Sequence, residues 1–488
     1  MPWPTLPIED LPAWARLNDV QFVDVKVTNT AGKGYGVVCD KDLNTTPDDA
    51  TPDGPILLTI PHDLVLNGAA IDGYAKEDKH FKQLLDAVGH RSARADVLLF
   101  LLVQTALASR SSHSSVGVSN PWTEYLQFLP AAVLVPTLWH DDERLLLRGT
   151  SLEVAVDAKI SALDAEFGLV RDKSSDILCW NELLWESQPI HFVDWIRLDA
   201  LYRSRCLELP RSGESMVPCL DMINHSASPS AYYEENSKDE VVLLPRPGVS
   251  IPQGAEITIS YGDTKSAAEM LFSYGFIDPQ STADSLVLPL RPFADDPLAK
   301  AKLVAFGQVP KVHVARQNGT VRWRCEFAYL MCINQEDGLN FHILEQISGT
   351  RDPCVFWQGE DITDRTSDLE TLIPTLIQTH PFPDILKLRV ATVVYDRLEE
   401  QLDRLRSSPA PSADSPSQRE ECVKSALLLR HIETNLLEEA MEALVEECLM
   451  QRTSLMESKN VVAYLGLMEP AKSDLVDEEA SNETEDFS

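Results

Sequence analysis

Two β-rich stretches, separated by a long run of helical periodicity, constrain the fold of this chain more than any other feature. The first stretch, before residue 74, holds the β-branched runs QFVDVKVTN and YGVVCD and the short apolar run PILLTIP. Residues 74–200 then carry apolar side chains at helical spacing, as in HFKQLLDAVGH and ADVLLFLLVQTALASR, and Asn120 before Pro121 predicts a helix start. The amphipathic run VDWIRLDALYRSRCLEL predicts a further helix at residues 193–209. β-Signals return at residues 216–260 with MVPCLDMI, EVVLLPR and EITISYG. This order predicts an α+β fold in which a helical insertion splits one β-rich domain.

Helical periodicity also dominates the last third of the chain. No glycine occurs between Asp361 and Leu465, and apolar stripes at helical spacing predict two long helices around residues 386–405 and 432–448. We therefore expect residues 1–73 and 201–285 to form the split β-rich domain and residues 74–200 the insertion. Residues 290–468 are expected to form a separate all-α domain. Residues 469–488 hold eight acidic side chains and one lysine, which predicts a disordered acidic tail.

The charge balance favours a basic partner. The chain has 42 basic and 76 acidic side chains, a net charge of −34. Such a field repels the phosphates of nucleic acids and attracts basic proteins, although acidity that only keeps the chain in solution is an equally good interpretation. The longest apolar run, residues 97–103, is too short to cross a bilayer, and the N-terminus lacks the basic region of a secretory signal. We expect an intracellular protein without a membrane partner.

The nine cysteines are scattered and contain no C-x-x-C pair. Closed tetrahedral zinc sites usually take their ligands from closely spaced pairs, so we expect reduced thiols and no metal.

Three segments carry candidate functional residues. GKGYGVV at residues 32–38 allows a close approach of the backbone to a ligand, although a simple turn is the favoured interpretation of this segment taken alone. DMINHS at residues 221–226 ends an apolar run on three polar side chains; a satisfied core histidine or a turn-forming asparagine is the structural alternative. EITISYGDTKSAAEMLFSYGF at residues 256–276 holds two tyrosines, each followed by glycine. Buried tyrosine hydroxyls need partners, and two of them can line a narrow channel.

The order of these segments resembles the SET-domain methyltransferases, specifically the class related to plant Rubisco large-subunit methyltransferase and fungal ribosomal-protein lysine methyltransferases. The resemblance implies a knot-like β core, S-adenosyl-L-methionine as cofactor, and a C-terminal substrate-binding domain at residues 290–468. It assigns the catalytic role to Tyr261. The residues that it implies bind the cofactor are Gly34, Tyr35, Gly36, Arg205, Asp221, Met222, Ile223, Asn224, His225 and Tyr274.

The same resemblance implies a lysine channel with aromatic walls. Its candidate residues are Tyr261, Tyr274, Phe276 and Tyr232, with Tyr233 as the alternative to Tyr232. Tyr261 is expected to orient the amine rather than to act as a base, because a phenol with a pKa near 10 is rarely ionised at neutral pH. One departure from the class occurs after Tyr261, where K-S-N-x-E is replaced by KSAAE at residues 265–269.

The implied function is methyl transfer from S-adenosyl-L-methionine to a lysine of a basic protein, such as a ribosomal protein or a histone. A non-catalytic scaffold and a protein-histidine methyltransferase are the alternatives. We expect a monomer in the nucleus or cytoplasm, with a basic protein substrate and no nucleic acid, membrane or metal partner.

Overall fold

The computed structural model describes residues 3–30, 32–46, 55–109, 120–186, 189–281, 283–345, 351–408 and 418–457. The strands of this part of the chain are β1 Gln21–Phe22, β2 Val25–Thr30, β3 Gly34–Cys39, β4 Leu43–Asn44, β5 Leu58–Ile60, β6 Cys206–Leu209, β7 Gly213–Met216, β8 Asn224–His225, β9 Ala231–Glu235, β10 Val241–Pro245, β11 Ser250–Ile251, β12 Glu256–Ile259, β13 Ser285–Pro289, β14 Lys311–Gln317, β15 Thr320–Arg324, β16 Leu339–Glu345, β17 Arg351–Trp357 and β18 Glu360–Asp361.

One helix precedes β1, and the others lie between β5 and β6 or after β12. They are α1 Leu11–Leu17, α2 Gly68–Glu77, α3 Lys79–Val88, α4 Ala93–Ala108, α5 Pro121–Tyr125, α6 Asp141–Arg144, α7 Leu152–Ser175, α8 Leu178–Asn181, α9 Phe192–Arg205, α10 Ala267–Tyr274, α11 Ala299–Phe306, α12 Glu326–Cys332, α13 Leu369–Thr379, α14 Pro383–Ser407 and α15 Glu420–Glu457. The α+β class is confirmed, since helices separate two groups of strands that pair with each other.

Two four-stranded sheets join the two β-rich stretches. One has the order β1-β5-β10-β9 and the other the order β2-β3-β12-β8. In the second sheet β12 is antiparallel to β3 and parallel to β8. Residues 97–103 of α4 are buried in the same hydrophobic core as these strands. Among the described residues, no helix is long and apolar enough to cross a membrane.

Local capping follows the sequence closely in the insertion. Asn120 accepts a hydrogen bond from the Trp122 backbone N–H, and Pro121 occupies the first turn of α5, as the sequence predicts. The apolar stripe of α14 is buried, which confirms its prediction as a core face.

The helix before β6 is shorter than its amphipathic pattern predicts. We expected helix through Leu209, but α9 ends at Arg205 and the next four residues form β6, which pairs with β7. The alternation explains the difference, because Leu207 and Leu209 are buried whereas Glu208 between them is exposed. Residues 220–222 likewise form a 3₁₀ turn rather than the expected strand.

The region expected to be all-α also contains strands, from β14 to β18. Asn318 and Gly319 link β14 to β15, and Gln358 and Gly359 link β17 to β18, all four with positive φ. An Asn-Gly pair between alternating apolar residues is a strong hairpin signal, so the first hairpin was readable from the sequence.

The chain divides into two compact units. The first comprises residues up to Val287 together with Val314–Thr320 and Gln401–Leu437; the second comprises Leu288–His313, Val321–Glu400 and residues from Glu438 onward. The sequence-based domain boundaries stay a prediction. The predicted acidic tail, residues 469–488, lies outside the described residues.

A buried carboxyl group at Glu433 makes stability depend on pH. It accepts hydrogen bonds from the Ser151 backbone N–H and hydroxyl, just before α7. Burial raises the pKa of Glu433 to about 7, although Ser151 and Arg430 act in the opposite direction. The folded state therefore binds a proton more tightly than the unfolded chain, and this group's contribution to stability falls as the pH rises from about 4.5 to about 7.

We expect Glu433→Gln to raise the free energy of unfolding by about 2 kcal/mol at pH 8 and by much less at pH 5. Melting temperatures at the two pH values measure this. Glu442→Gln, an exposed position of the same helix, is the control and should leave both values unchanged. An equal effect of Glu433→Gln at both pH values contradicts the prediction.

Candidate active site

The Asn-His pair of DMINHS forms the outermost strand of the second sheet, next to β12. Asn224 and His225 form β8, which runs parallel to β12 beside Thr258 and Ile259. The Asn224 side-chain amide donates to Glu256 Oε1 at 2.6 Å and to the Tyr35 carbonyl at 3.3 Å. This amide therefore ties the early Gly-rich strand to β8 and β12, which satisfies a polar group that is costly to leave unpaired.

Gly36 is required by this junction. A Cβ atom at position 36 would lie 2.8 Å from both Asn224 Nδ2 and Glu256 Oε1, closer than packed atoms approach. Close packing around the Asn224 side chain therefore explains Gly36 of GKGYGVV, whereas Gly32 and Gly34 are explained by their positive φ.

Tyr261 and Tyr274 contact each other next to β8, through a hydrogen bond and through their rings. The Tyr261 hydroxyl donates to the Ile223 carbonyl at 2.7 Å, and the Tyr274 hydroxyl donates to the Tyr261 carbonyl at 3.1 Å. Their ring centroids are 4.6 Å apart. Burial raises the pKa of Tyr261 well above its usual value and the pKa of Tyr274 to about 12. Both phenols therefore stay protonated at neutral pH and can orient a ligand but cannot act as phenolate bases.

A cavity of about 300 Å³ opens beside these tyrosines. Five residues predicted as site residues line it: Arg205, Asp221, Ile223, Tyr261 and Tyr274. The structure therefore brings together residues from α9, the 3₁₀ turn, β12 and α10, which are far apart in the chain.

Arg205 and Asp221 form the polar wall of this cavity. Arg205 Nη1 donates to the Asp221 carbonyl at 2.7 Å and lies 3.5 Å from its carboxylate. The Asp221 carboxylate also accepts a hydrogen bond from the Tyr125 hydroxyl, and burial raises its pKa. Arg205 Nε is buried and has no hydrogen-bond partner among the described residues. This arginine therefore keeps one buried donor for an acceptor group of a ligand.

His225 positions the backbone of Tyr261. Its Nδ1 accepts from the Tyr261 N–H at 3.1 Å, while Nε2 lies 3.3 Å from the Asp278 carboxylate. Burial lowers the pKa of His225, although Asp278 opposes the change. The neutral imidazole with its proton on Nε2 satisfies both neighbours.

We therefore expect His225 to be the neutral Nε2–H tautomer at pH 7, which nitrogen NMR of a histidine-labelled sample measures directly. The hydrogen bond from Tyr261 is present above the pKa of His225 and is lost as the pH falls through it, because a protonated Nδ1 cannot accept. His225→Gln assigns the signal. An imidazolium or an Nδ1–H tautomer at pH 7 contradicts the prediction.

Several predicted residues do not line the cavity. The Phe276 ring is tilted against His225 and edge-on to Tyr261, with centroid distances of 6.0 Å and 6.4 Å. Tyr232 is absent from the cavity wall and Tyr233 takes its place, because neighbouring residues of β9 point to opposite faces of the sheet. The others outside the wall are Gly34, Tyr35, Gly36, Met222, Asn224 and His225.

The sequence reasoning missed some residues of this site. Glu208 and Lys265 line the cavity, and Lys265 Nζ lies 5.7 Å from the Tyr274 ring centroid. No local sequence pattern marks Tyr125 as a site residue, because it contacts Asp221, which lies 96 residues away in the chain.

The departure at KSAAE leaves the capping of α10 intact, because Ser266 and Glu269 bond reciprocally to each other's backbone N–H groups. Among the described residues, no cluster of three or more His, Cys, Asp or Glu side chains could hold a metal ion.

Comparisons with known proteins agree with this geometry. No family model matches the sequence. The chain is 28% identical over 347 residues to SET domain-containing protein 8 of Schizosaccharomyces pombe, covering 69% of this chain and 74% of that protein. It is 25% identical over 313 residues to the chloroplastic ribulose-1,5 bisphosphate carboxylase/oxygenase large subunit N-methyltransferase of Pisum sativum, covering 60% of this chain and 58% of that protein.

The fold matches a solved structure along nearly the whole chain. The SET domain of LSMT bound to MeLysine and AdoHcy superposes with a TM-score of 0.67 at 18% identity, covering 96% of this chain and 98% of that one. The fold is that of a SET domain. The sequence is similar to SET-domain proteins, among them a Rubisco large-subunit methyltransferase.

Proposed function

We propose that this protein transfers a methyl group from S-adenosyl-L-methionine to the side-chain amine of a lysine in a basic protein. The observation that supports this most is the convergence of Arg205, Asp221, Tyr261 and Tyr274 on one cavity of about 300 Å³. The pea relative is named for N-methylation of a protein, and the solved relative holds methyllysine.

The cavity has groups that suit the cofactor. S-adenosyl-L-methionine, when bound, supplies a methyl group already activated by a sulfonium centre. The Nε of Arg205 is buried and has no partner among the residues that the structure describes. It suits the carboxylate of the cofactor's amino-acid part, because arginine pairs well with carboxylates. We propose that Gly34, Tyr35, Gly36 and residues 221–225 hold the rest of it, together with Tyr274.

Tyr261 is proposed to orient the reacting amine. Its hydroxyl hydrogen is engaged by the Ile223 carbonyl, which leaves the phenol oxygen able to accept from an amine N–H or from a polarised methyl C–H. Only the neutral amine is nucleophilic, and burial among Tyr261, Tyr274 and Tyr233 disfavours the ammonium form. Because the pKa of Tyr261 is raised, the amine proton must leave to solvent rather than to a phenolate.

A basic substrate is proposed from the net charge of −34. The methyl acceptor, the monomeric state and a nuclear or cytoplasmic location stay predictions, and the pea relative is chloroplastic.

Two measurements test the proposal. Isothermal titration calorimetry with S-adenosyl-L-methionine separates an enzyme from a scaffold, since a scaffold gives no binding heat. Radiolabelled methyl transfer into an extract lacking this protein, followed by mass spectrometry of the labelled band, then identifies the substrate and shows whether lysine or histidine is modified. Cofactor binding without any labelled band overturns the proposed activity.

A further inference from the structure

The second unit carries a surface on which an acidic hollow and an apolar hollow lie side by side. The acidic hollow, about 820 Å³, runs along α14 from Ile385 to Asp396, and the apolar hollow, about 460 Å³, lies between α14 and α15. Leu388 and Thr392 line both and form the ridge between them. We call this surface the α14 ridge.

Three carboxylates give the acidic hollow its charge. Asp295, Glu336 and Asp396 are exposed there and have no ion-pair partner among the described residues. The other charged groups of the hollow are already balanced. Asp296 pairs with Lys302 at 2.7 Å, and Arg389 bonds to the carboxylate of Asp337 and to a backbone carbonyl. The hollow therefore presents a net negative charge that a cationic partner would neutralise.

The apolar hollow exposes aliphatic side chains. Val445 and Leu449 of α15 are 43% and 57% exposed, and Tyr395 faces them from α14. The charged group of this hollow is Arg452 at its end. Covering such side chains removes apolar area from water, which is favourable by about 25 cal/mol per Å².

We propose that the α14 ridge docks a basic amphipathic helix of another protein. The apolar face of that helix would lie on Tyr395, Val445 and Leu449, and its lysines or arginines over the three free carboxylates. Ile385 and Asp396 are eleven residues apart on α14, about 17 Å, which is enough for three turns of a helix.

Charge argues against two other possible occupants of the α14 ridge, a second copy of this chain and its own C-terminal residues. A second copy of this chain carries the same net charge of −34 and would add like charges to the acidic hollow. The chain's own C-terminal residues 469–488 hold eight acidic side chains and one lysine, so they are also repelled. A basic partner removes this repulsion instead.

Fluorescence anisotropy of a labelled Leu/Lys amphipathic peptide of about 18 residues, titrated with the full chain, tests the proposal. A scrambled peptide of the same composition and a Leu/Glu peptide of the same pattern are the ligand controls. We expect the Leu/Lys peptide to bind at least tenfold more tightly than either. No cofactor is needed, so the result is independent of methyl transfer.

Variants locate the binding surface. Asp396→Lys and Leu449→Gln alter exposed positions, so the protein should fold, and each should weaken binding of the Leu/Lys peptide about tenfold. Glu77→Lys, the same charge change at an exposed residue of α2, should leave the affinity unchanged. Equal binding of the scrambled peptide, or full affinity in both variants, overturns the proposal. A dimer in light scattering that Leu449→Gln dissociates also overturns it, in favour of self-association.

Discussion

Replacing Tyr261 by phenylalanine is expected to lower kcat for methyl transfer by about 100-fold or more while the affinity for S-adenosyl-L-methionine changes little. The substitution keeps the ring that packs 4.6 Å from Tyr274 but removes the oxygen proposed to orient the amine. It also removes the hydrogen bond to the Ile223 carbonyl, so the stability of the variant must be compared with that of the wild type. Single-turnover rates and calorimetric cofactor affinities together measure the effect.

Tyr274→Phe is the matched control for this prediction. It removes a phenol of the same cavity whose hydroxyl donates to the Tyr261 backbone carbonyl, so a smaller loss of rate is expected. If Tyr261→Phe turns over at the wild-type rate, the orienting role of Tyr261 is wrong. If the cofactor no longer binds, the residue is required for the shape of the pocket instead.

Asp221→Ala is expected to give the largest loss of stability, about 3–5 kcal/mol. The Asp221 side chain is fully buried and is shared by the Arg205 guanidinium and the Tyr125 hydroxyl. Its removal leaves a buried cation with a weakened set of partners and a buried hydroxyl without its acceptor. For a unit of this size we expect the melting temperature to fall by about 10 °C, which thermal unfolding followed by circular dichroism measures.

Asp141→Ala separates this effect from the loss of any carboxylate. Asp141 also pairs with an arginine, Arg144, but its side chain is 96% exposed. Exposed ion pairs contribute about 0–1 kcal/mol, so this variant should melt close to the wild type. Asp221→Asn should lie between the two, because an amide oxygen can still accept from Tyr125. Equal melting of the Asp221→Ala and wild-type proteins contradicts the prediction.

The elements of the site that the sequence predicted are those with local signals. Ile223 ends a run of apolar residues, Asn224 and His225 break it, and the Tyr-Gly pairs mark the ends of β12 and α10; these segments do meet in space. Asn120 before Pro121 likewise predicted the start of α5 from the chemistry of a cap.

The parts of the fold and of the site that the sequence did not predict depend on pairing between residues that are distant in the chain. The strand β6 looked like the last turn of α9, because its leucines fit either period until β7 is known to lie beside it. The choice between Tyr232 and Tyr233 needed the register of β9 against β10. Tyr125 reaches Asp221 only because the insertion packs its helices on the β-rich core, and no local pattern records that contact.

The pairing of β12 with both β3 and β8 also determines when the site can form. Val37 and Ile257 are neighbours in the sheet although more than two hundred residues separate them in the chain. During synthesis the hairpin of β2 and β3 therefore keeps one edge unpaired until the chain has been made through β12. A nascent chain stopped before β12 should expose that edge to chaperones, and an insertion of different length could evolve between β5 and β6 without changing the residues that meet there.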